Sequence, residues 1–152
     1  MSKIDEILSV ARSRNKDWAY AGAVTPHEAY ELLSLENAVK LIDVRTNAER
    51  DWVGRVLIPD AQHGAVQWSV YPGGVANHEF IEQLNSVARK DQVLLFLCRS
   101  GVRSRSAATL AAEHGYQQCY DILEGFEGDK DEHQHRKNIN GWCKANLPWK
   151  GA

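Results

Sequence analysis

The sequence has few cysteines and no long apolar run. Three of its 152 residues are cysteines, Cys98, Cys119 and Cys143. An odd number at this wide spacing fits neither a disulfide framework nor paired C-x-x-C metal ligands, so we expect three free thiols. The first ten residues mix charged side chains with isolated apolar ones. This pattern argues against a signal peptide or a membrane span and predicts a cytoplasmic protein.

The chain also lacks an excess of charge of either sign. Eighteen lysines and arginines stand against twenty aspartates and glutamates, which gives a formal net charge of −2. A nucleic-acid-binding protein normally carries a basic patch, so we expect neither nucleic acid nor a membrane as a partner. Apolar residues make up 43% of the chain and charged residues 25%, as is typical of one globular domain.

Short apolar runs alternate with helical patterns along most of the chain. Parallel strands are predicted at 39–44, 93–98 and 119–123, and helices at 26–34, 78–89 (with Asn77 as its cap) and 102–114. This alternation predicts a single α/β domain with a central, mostly parallel sheet, helices on both faces and 93–98 as the central strand. We assign residues 1–17 to an N-terminal helical extension and 18–152 to the domain, with the aromatic tail docked back onto it.

One cysteine stands where α/β proteins bind their ligands. Cys98 ends the most apolar strand, and a helix begins shortly after it; between them lie Arg99, Ser100, Gly101, Val102, Arg103 and Ser104. The helix dipole and the nearby arginines favour a thiolate, and Gly101 permits a tight turn that directs backbone N–H groups to one point. Cys98 is therefore the predicted nucleophile, whereas Cys119 and Cys143 are predicted to be structural.

The residues around Cys98 resemble the catalytic loop of a known family. The run C-R-S-G-V-R-S at 98–104 is similar to the active loop of the rhodanese sulfurtransferases. The runs L-I-D-V-R-T at 41–46, G-F-E-G at 125–128 and G-W-C-K-A-N-L-P-W at 141–149 also resemble segments of that family. In contrast, G-R-V-L-I-P-D-A at 54–61 departs from the G-H-I-P-G-A run of many members. The resemblance extends over roughly residues 22–150.

The resemblance implies a rhodanese-type thiosulfate sulfurtransferase that needs no cofactor and no metal. Cys98 would take the outer sulfur of thiosulfate or a similar small anion, form a persulfide and pass that sulfur to cyanide or a thiol. Residues 99–104 would bind the anion, with Arg99 steering it at the rim and Ser100 and the loop amides holding negative charge.

Four further residues are expected to support this site. Asp43, Arg45 and Glu49 are predicted to hold the loop, with Arg103 paired to Asp43 or to Glu49. Simple solvation at a strand end is the alternative interpretation of Asp43 and Arg45. Trp68, in the run Q-W-S-V-Y-P-G, is predicted to form part of the pocket wall.

Three alternatives stay open at this point. A persulfide carrier that relays sulfur between protein partners would use the same cysteine without turning over thiosulfate. A phosphatase or arsenate reductase is disfavoured, because four residues separate Cys98 from Arg103 where five are usual. A metal site at His133 and His135, with His114 and Cys143, rests on an H-x-H pattern that is better explained by a solvated tail.

Overall fold

The computed structural model describes residues 2–151, and it contains the alternation of strands and helices that the sequence predicts. In chain order the strands are β1 (Gly22–Val24), β2 (Lys40–Asp43), β3 (Arg55–Val56), β4 (His63–Ala65), β5 (Ser69–Val70), β6 (Val75–Ala76), β7 (Val93–Leu97), β8 (Gln118–Ile122) and β9 (Trp149–Lys150). The helices are α1 (Lys3–Ser13), α2 (Pro26–Leu35), α3 (Asn47–Trp52), α4 (Phe80–Val87) and α5 (Val102–Glu113). The helices and strands predicted between residues 26 and 123 are confirmed, with small shifts at their ends.

Five of these strands form a parallel central sheet in the order β1–β8–β7–β2–β4. The strand β7 lies in the middle, as predicted. Because side chains alternate along a strand, Leu41 and Leu95 face α1 and α2, whereas Ile42 and Phe96 face α4 and α5. The predicted α/β fold with helices on both faces is confirmed, and this topology gathers the strand ends at one edge.

The helix α1 is part of the core rather than a loose appendage. Its residues Ile7, Leu8 and Ala11 are buried together with residues of α2 and β1. A Cβ atom on Gly22 would lie 2.2 Å from the carbonyl oxygen of Ala11, so only glycine allows the helix to approach β1 this closely. The apolar face of this helix therefore packs inside the domain, and the division at residue 17 stays a prediction.

The start of α4 differs from its prediction. The helix begins at Phe80, and Asn77 is not its cap. Instead, the Asn77 side chain accepts a hydrogen bond from the Glu79 N–H and donates to the carbonyl oxygen of Gln67. These bonds hold residues 77–79 in a turn, which delays the helix by two residues.

The aromatic tail docks onto the domain, as predicted. Trp142 is fully buried in the α1–α2 side of the core. Trp149 lies in β9, which pairs antiparallel with β3. Within residues 2–151, no helix combines the length and the apolar character needed to cross a membrane.

Candidate active site

Cys98 lies directly after β7, at the edge of the sheet where its parallel strands end. Its side chain is only 1% exposed and belongs to the core beneath α4 and α5. The Cys98 Sγ accepts a hydrogen bond from the backbone N–H of Gly101 at 3.0 Å, and its S–H donates to Ser104 Oγ at 3.3 Å. The sulfur is thus held between the loop and the first turn of α5.

The amide arrangement is simpler than the sequence predicts. Among the described residues, the N–H of Gly101 is the only backbone donor to the sulfur. Gly101 has a φ of +105°, a left-handed conformation that favours glycine, and it directly precedes α5. Ser100 is half-buried and Val102 is 60% exposed, and within residues 2–151 the hydrogen bonds of the sulfur go to Gly101 and Ser104. Their predicted part in binding substrate stays a prediction.

A second backbone segment holds the loop from below. The carbonyl oxygen of Cys98 accepts from the N–H of Phe126 at 2.8 Å, and that of Arg99 accepts from the N–H of Glu127 at 2.9 Å. A Cβ atom on Gly125 would lie 2.6 Å from the carbonyl oxygen of Arg99. Glycine is therefore required at position 125, the start of the G-F-E-G run, because a larger residue would not permit this contact between the two segments.

Arg103 is tied to Glu49 and not to Asp43. Its two terminal nitrogens donate to the two carboxylate oxygens of Glu49 at 2.6 and 2.8 Å, a bidentate arrangement. Burial alone would raise the pKa of Glu49, but hydrogen bonds from Arg103 and Thr46 and the charge of Arg103 outweigh it and lower the pKa to about 2. This ion pair joins the start of α5 to the start of α3.

Asp43 and Arg45 pair with each other. Both side chains are fully buried, and Arg45 donates to the two oxygens of Asp43 through its Nε and Nη2 atoms. The Arg45 guanidinium also lies 4.2 Å from the centroid of the Phe126 ring. Simple solvation of these two residues is therefore wrong. Arg45 thus lies against the residue whose N–H binds the carbonyl oxygen of Cys98, and the support of the loop by Asp43 and Arg45 stays a prediction.

An open cavity of about 470 Å³ lies beside the loop. Arg99 lines it from the loop, Arg103 from the start of α5 and Glu49 from α3, and Tyr71 and Arg136 line it from two other segments. Arg99 is exposed and makes no ion pair among the described residues, which suits a group that meets an anion arriving from solvent.

Trp68 does not line this cavity, contrary to the predicted pocket wall. Its ring packs edge-on against Phe80, with the ring centroids 5.1 Å apart. It borders a different groove, which Trp18, Tyr20 and Arg105 share on the α5 side. Trp68 follows β4 and packs against Phe80 in α4, so its ring extends the core on the α4–α5 side of the sheet.

The other two cysteines behave as structural residues. All three cysteines are free and buried. Burial raises the pKa of the Cys119 thiol to about 12 and that of the Cys143 thiol to about 11. Thiols with such high pKa values are poor nucleophiles near neutral pH.

Two residues of the site have no counterpart in the sequence reasoning. Asp121 in β8 accepts a hydrogen bond from Ser104 Oγ at 2.5 Å, and Arg136 reaches the cavity from the tail. An acidic residue inside an apolar strand is a signal that could have drawn attention to Asp121, because a buried carboxylate needs a specific reason. The residues His133 and His135 lie in the same tail, and the described residues contain no group of three or more metal-binding side chains.

The fold and the cysteine loop together define a class of proteins: α/β domains that present one cysteine on a loop between the central strand and a helix. Comparison with protein families gives a match to the rhodanese-like domain over residues 25–132. The chain therefore belongs to the rhodanese family of sulfurtransferases, as the sequence resemblance implied.

Known relatives agree with this assignment. The chain is 37% identical over 124 residues to the uncharacterized protein RP600 of Rickettsia prowazekii, covering 80% of this chain and 91% of that protein. It is 30% identical over 129 residues to the thiosulfate sulfurtransferase GlpE of Actinobacillus succinogenes, covering 85% and 90%. The crystal structure of Rv0390 from M. tuberculosis superposes with a TM-score of 0.77 at 38% identity, covering 88% of this chain and 99% of that one.

Proposed function

We propose that this protein moves sulfane sulfur from thiosulfate, or a similar small anion, to cyanide or a thiol through a persulfide on Cys98. The observation that carries the proposal is the position of Cys98. Its sulfur lies at the edge where the sheet's strands end and accepts the N–H of Gly101, and Arg99 and Arg103, which follow Cys98 in the chain, line an open cavity. The similarity to a thiosulfate sulfurtransferase supports the choice of donor.

The reaction divides into two displacements. The Cys98 thiolate attacks the outer sulfur of thiosulfate, the sulfur–sulfur bond of the donor breaks, and sulfite leaves with the bonding electrons. The acceptor then attacks the outer sulfur of the persulfide, and the Cys98 Sγ leaves as a thiolate. The N–H of Gly101 is placed to stabilise negative charge on sulfur in both steps. Neither step requires a cofactor or a metal.

A sulfur relay to a protein partner is the second candidate. Trp52 and Tyr71 are 67% and 56% exposed, and their rings meet edge-on with centroids 5.3 Å apart. Tyr71 also lines the cavity beside Arg99. Exposed aromatic side chains are enriched in protein interfaces, so this pair favours an acceptor presented by another protein in the cytoplasm.

Intact-protein mass spectrometry after incubation with thiosulfate tests the proposal. We expect a mass gain of one sulfur atom that maps to Cys98, together with steady-state release of sulfite when cyanide is present. The variant Cys98→Ser should keep the fold and lose both signals. A sulfur adduct without steady-state sulfite release would favour the relay. Activity retained by Cys98→Ser, or no adduct from thiosulfate or from a cysteine desulfurase, would exclude Cys98 as the sulfur acceptor.

A further inference from the structure

A buried carboxyl group is connected to the Cys98 thiol by hydrogen bonds. Asp121 lies in β8, and its side chain is only 2% exposed. Its Oδ1 atom accepts from the hydroxyl of Ser104 at 2.5 Å, and Ser104 Oγ in turn accepts from the S–H of Cys98 at 3.3 Å. An unbroken chain of two hydrogen bonds therefore leads from the reacting sulfur to a carboxyl in the core.

The surroundings of Asp121 allow this carboxyl to exist with or without its proton near neutral pH. The titratable and charged groups facing it are Tyr20 before β1, Arg105 in α5 and Cys98 after β7. Burial has the largest influence and raises the pKa of Asp121 to about 7, although the Ser104 hydrogen bond and the charge of Arg105 lower it. Arg105 forms no ion pair with Asp121 among the described residues, so its influence acts at a distance.

The Cys98 thiol needs an internal group to receive its proton. A thiol reacts as a nucleophile only after it loses its proton. Cys98 as a whole is only 1% exposed, so bulk water has little access to its S–H. That S–H points to Ser104, whose own hydroxyl proton is already directed to Asp121. The two hydrogen bonds along which the proton would move are therefore already formed before the reaction begins.

We propose that Asp121, acting through Ser104, takes up the proton of Cys98 when the sulfur becomes a nucleophile. The S–H bond breaks and its electrons stay on sulfur. Ser104 Oγ gains that proton, and its original hydroxyl proton passes to Asp121, so the total charge of the three groups is unchanged. Asp121 touches Ser104 and not the sulfur, which makes it a positioning residue. The inference rests on the proposed role of Cys98 as the nucleophile.

The proton chain has a measurable consequence for thiol reactivity. The rate of Cys98 alkylation by iodoacetamide reports the thiolate population as pH rises. A thiolate beside protonated Asp121 and a thiol beside ionised Asp121 hold the same number of protons, so their ratio does not change with pH. We therefore expect two rises in rate, separated by a plateau that begins near the pKa of Asp121.

The variant Asp121→Asn removes the titrating group. In this variant we expect a single rise. Towards the alkaline end of the wild-type plateau, its alkylation should be several-fold faster than that of the wild type, because no charge on residue 121 disfavours the thiolate. Mass spectrometry of the peptides confines the measurement to Cys98. A plateau that persists in Asp121→Asn, or an unchanged rate in that range, would overturn the inference.

Two further variants secure the test. Ser104→Ala keeps Asp121 but breaks the chain of hydrogen bonds. In the wild type the hydrogen bond from Ser104 lowers the pKa of Asp121, so its loss should raise that pKa and the plateau should begin at higher pH. An unchanged starting pH in Ser104→Ala also contradicts the inference, and this variant decides the matter if Asp121→Asn does not fold. The exposed Asp91→Asn is a matched control and should reproduce the wild-type profile. Alkylation needs no sulfur transfer, so a two-step profile without persulfide formation would contradict the proposed function alone.

Discussion

The ion pair between Glu49 and Arg103 should make the stability of the protein depend on acid pH. Both side chains are mostly buried, with 21% and 24% of their surfaces exposed, and they meet through two hydrogen bonds. We consider the substitution Glu49→Gln, which keeps the size of the side chain and resembles the neutral carboxyl group. The variant therefore isolates the contribution of the carboxylate charge to the free energy of unfolding.

The magnitude follows from the pKa of Glu49, which falls from its ordinary value of 4.5 to about 2. At about 1.4 kcal/mol per pH unit, ionisation of this carboxyl stabilises the folded protein by about 3 kcal/mol at neutral pH. A carboxyl with a lowered pKa contributes its stability above the unfolded-state value. That contribution is fully present above a pH of about 4.5 and is lost as pH falls through about 2.

Urea unfolding followed by tryptophan fluorescence measures this effect. At neutral pH, Glu49→Gln should be less stable than the wild type by about 3 kcal/mol, and the difference should shrink towards zero as pH approaches the pKa of Glu49. Asp51→Asn is a matched control in the same helix. It removes an exposed ion pair with Arg55 and should cost about 1 kcal/mol or less. A Glu49→Gln variant as stable as the wild type, or a difference that is independent of pH, would refute the reasoning.

Two further substitutions test the proposed binding of the anion and the contact that supports the loop. Arg99→Ala should raise the KM for thiosulfate several-fold with little change in kcat, because Arg99 acts on the approach and binding of the anion. An unchanged KM in steady-state assays would remove Arg99 from the site. Gly125→Ala should destabilise the protein by about 1–3 kcal/mol in urea unfolding, because the new Cβ would meet the Arg99 carbonyl oxygen at 2.6 Å. Gly74→Ala shares the positive φ but meets nothing within 4 Å, so an equal loss there would argue against the clash.

The order of elements and the position of Cys98 at the end of the central strand could be predicted because both depend on local patterns. Apolar runs and caps mark strands and helices, and a cysteine between a strand and a helix carries its chemical context with it. The choice of Glu49 over Asp43 as the partner of Arg103 depended on side chains 54 residues apart. Asp43 is the last residue of β2 and pairs with Arg45, two residues away. No local pattern in the sequence shows which of the two carboxylates Arg103 binds.

Trp68 shows a different limit of sequence reasoning. Its position after β4 allowed either the cavity or the core side of the sheet, and the deciding factor is the apolar surface that Phe80 offers in α4. Asp121 was missed for a related reason. Its hydrogen-bond partner Ser104 lies on another element, 17 residues away, so the pair becomes visible only when β8 and α5 are packed together.

The arginines near the loop divide into two groups, those paired with a carboxylate and those without an ion pair among the described residues. Arg45 and Arg103 are paired with carboxylates, so their charges are largely cancelled and their effect is to fix backbone segments. Arg99 and Arg136 also border the loop or its cavity, but they form no ion pair among residues 2–151.

This division is compatible with the proposed anionic donor, although the chain as a whole carries a net charge of −2. One carboxylate, Glu127, lines the cavity without an arginine partner, against the two unpaired arginines, Arg99 and Arg136. The local balance at the mouth is therefore positive. Since charges in a concave surface are screened less than charges on a flat one, this small positive excess supports the proposal of an anionic sulfur donor over a neutral one.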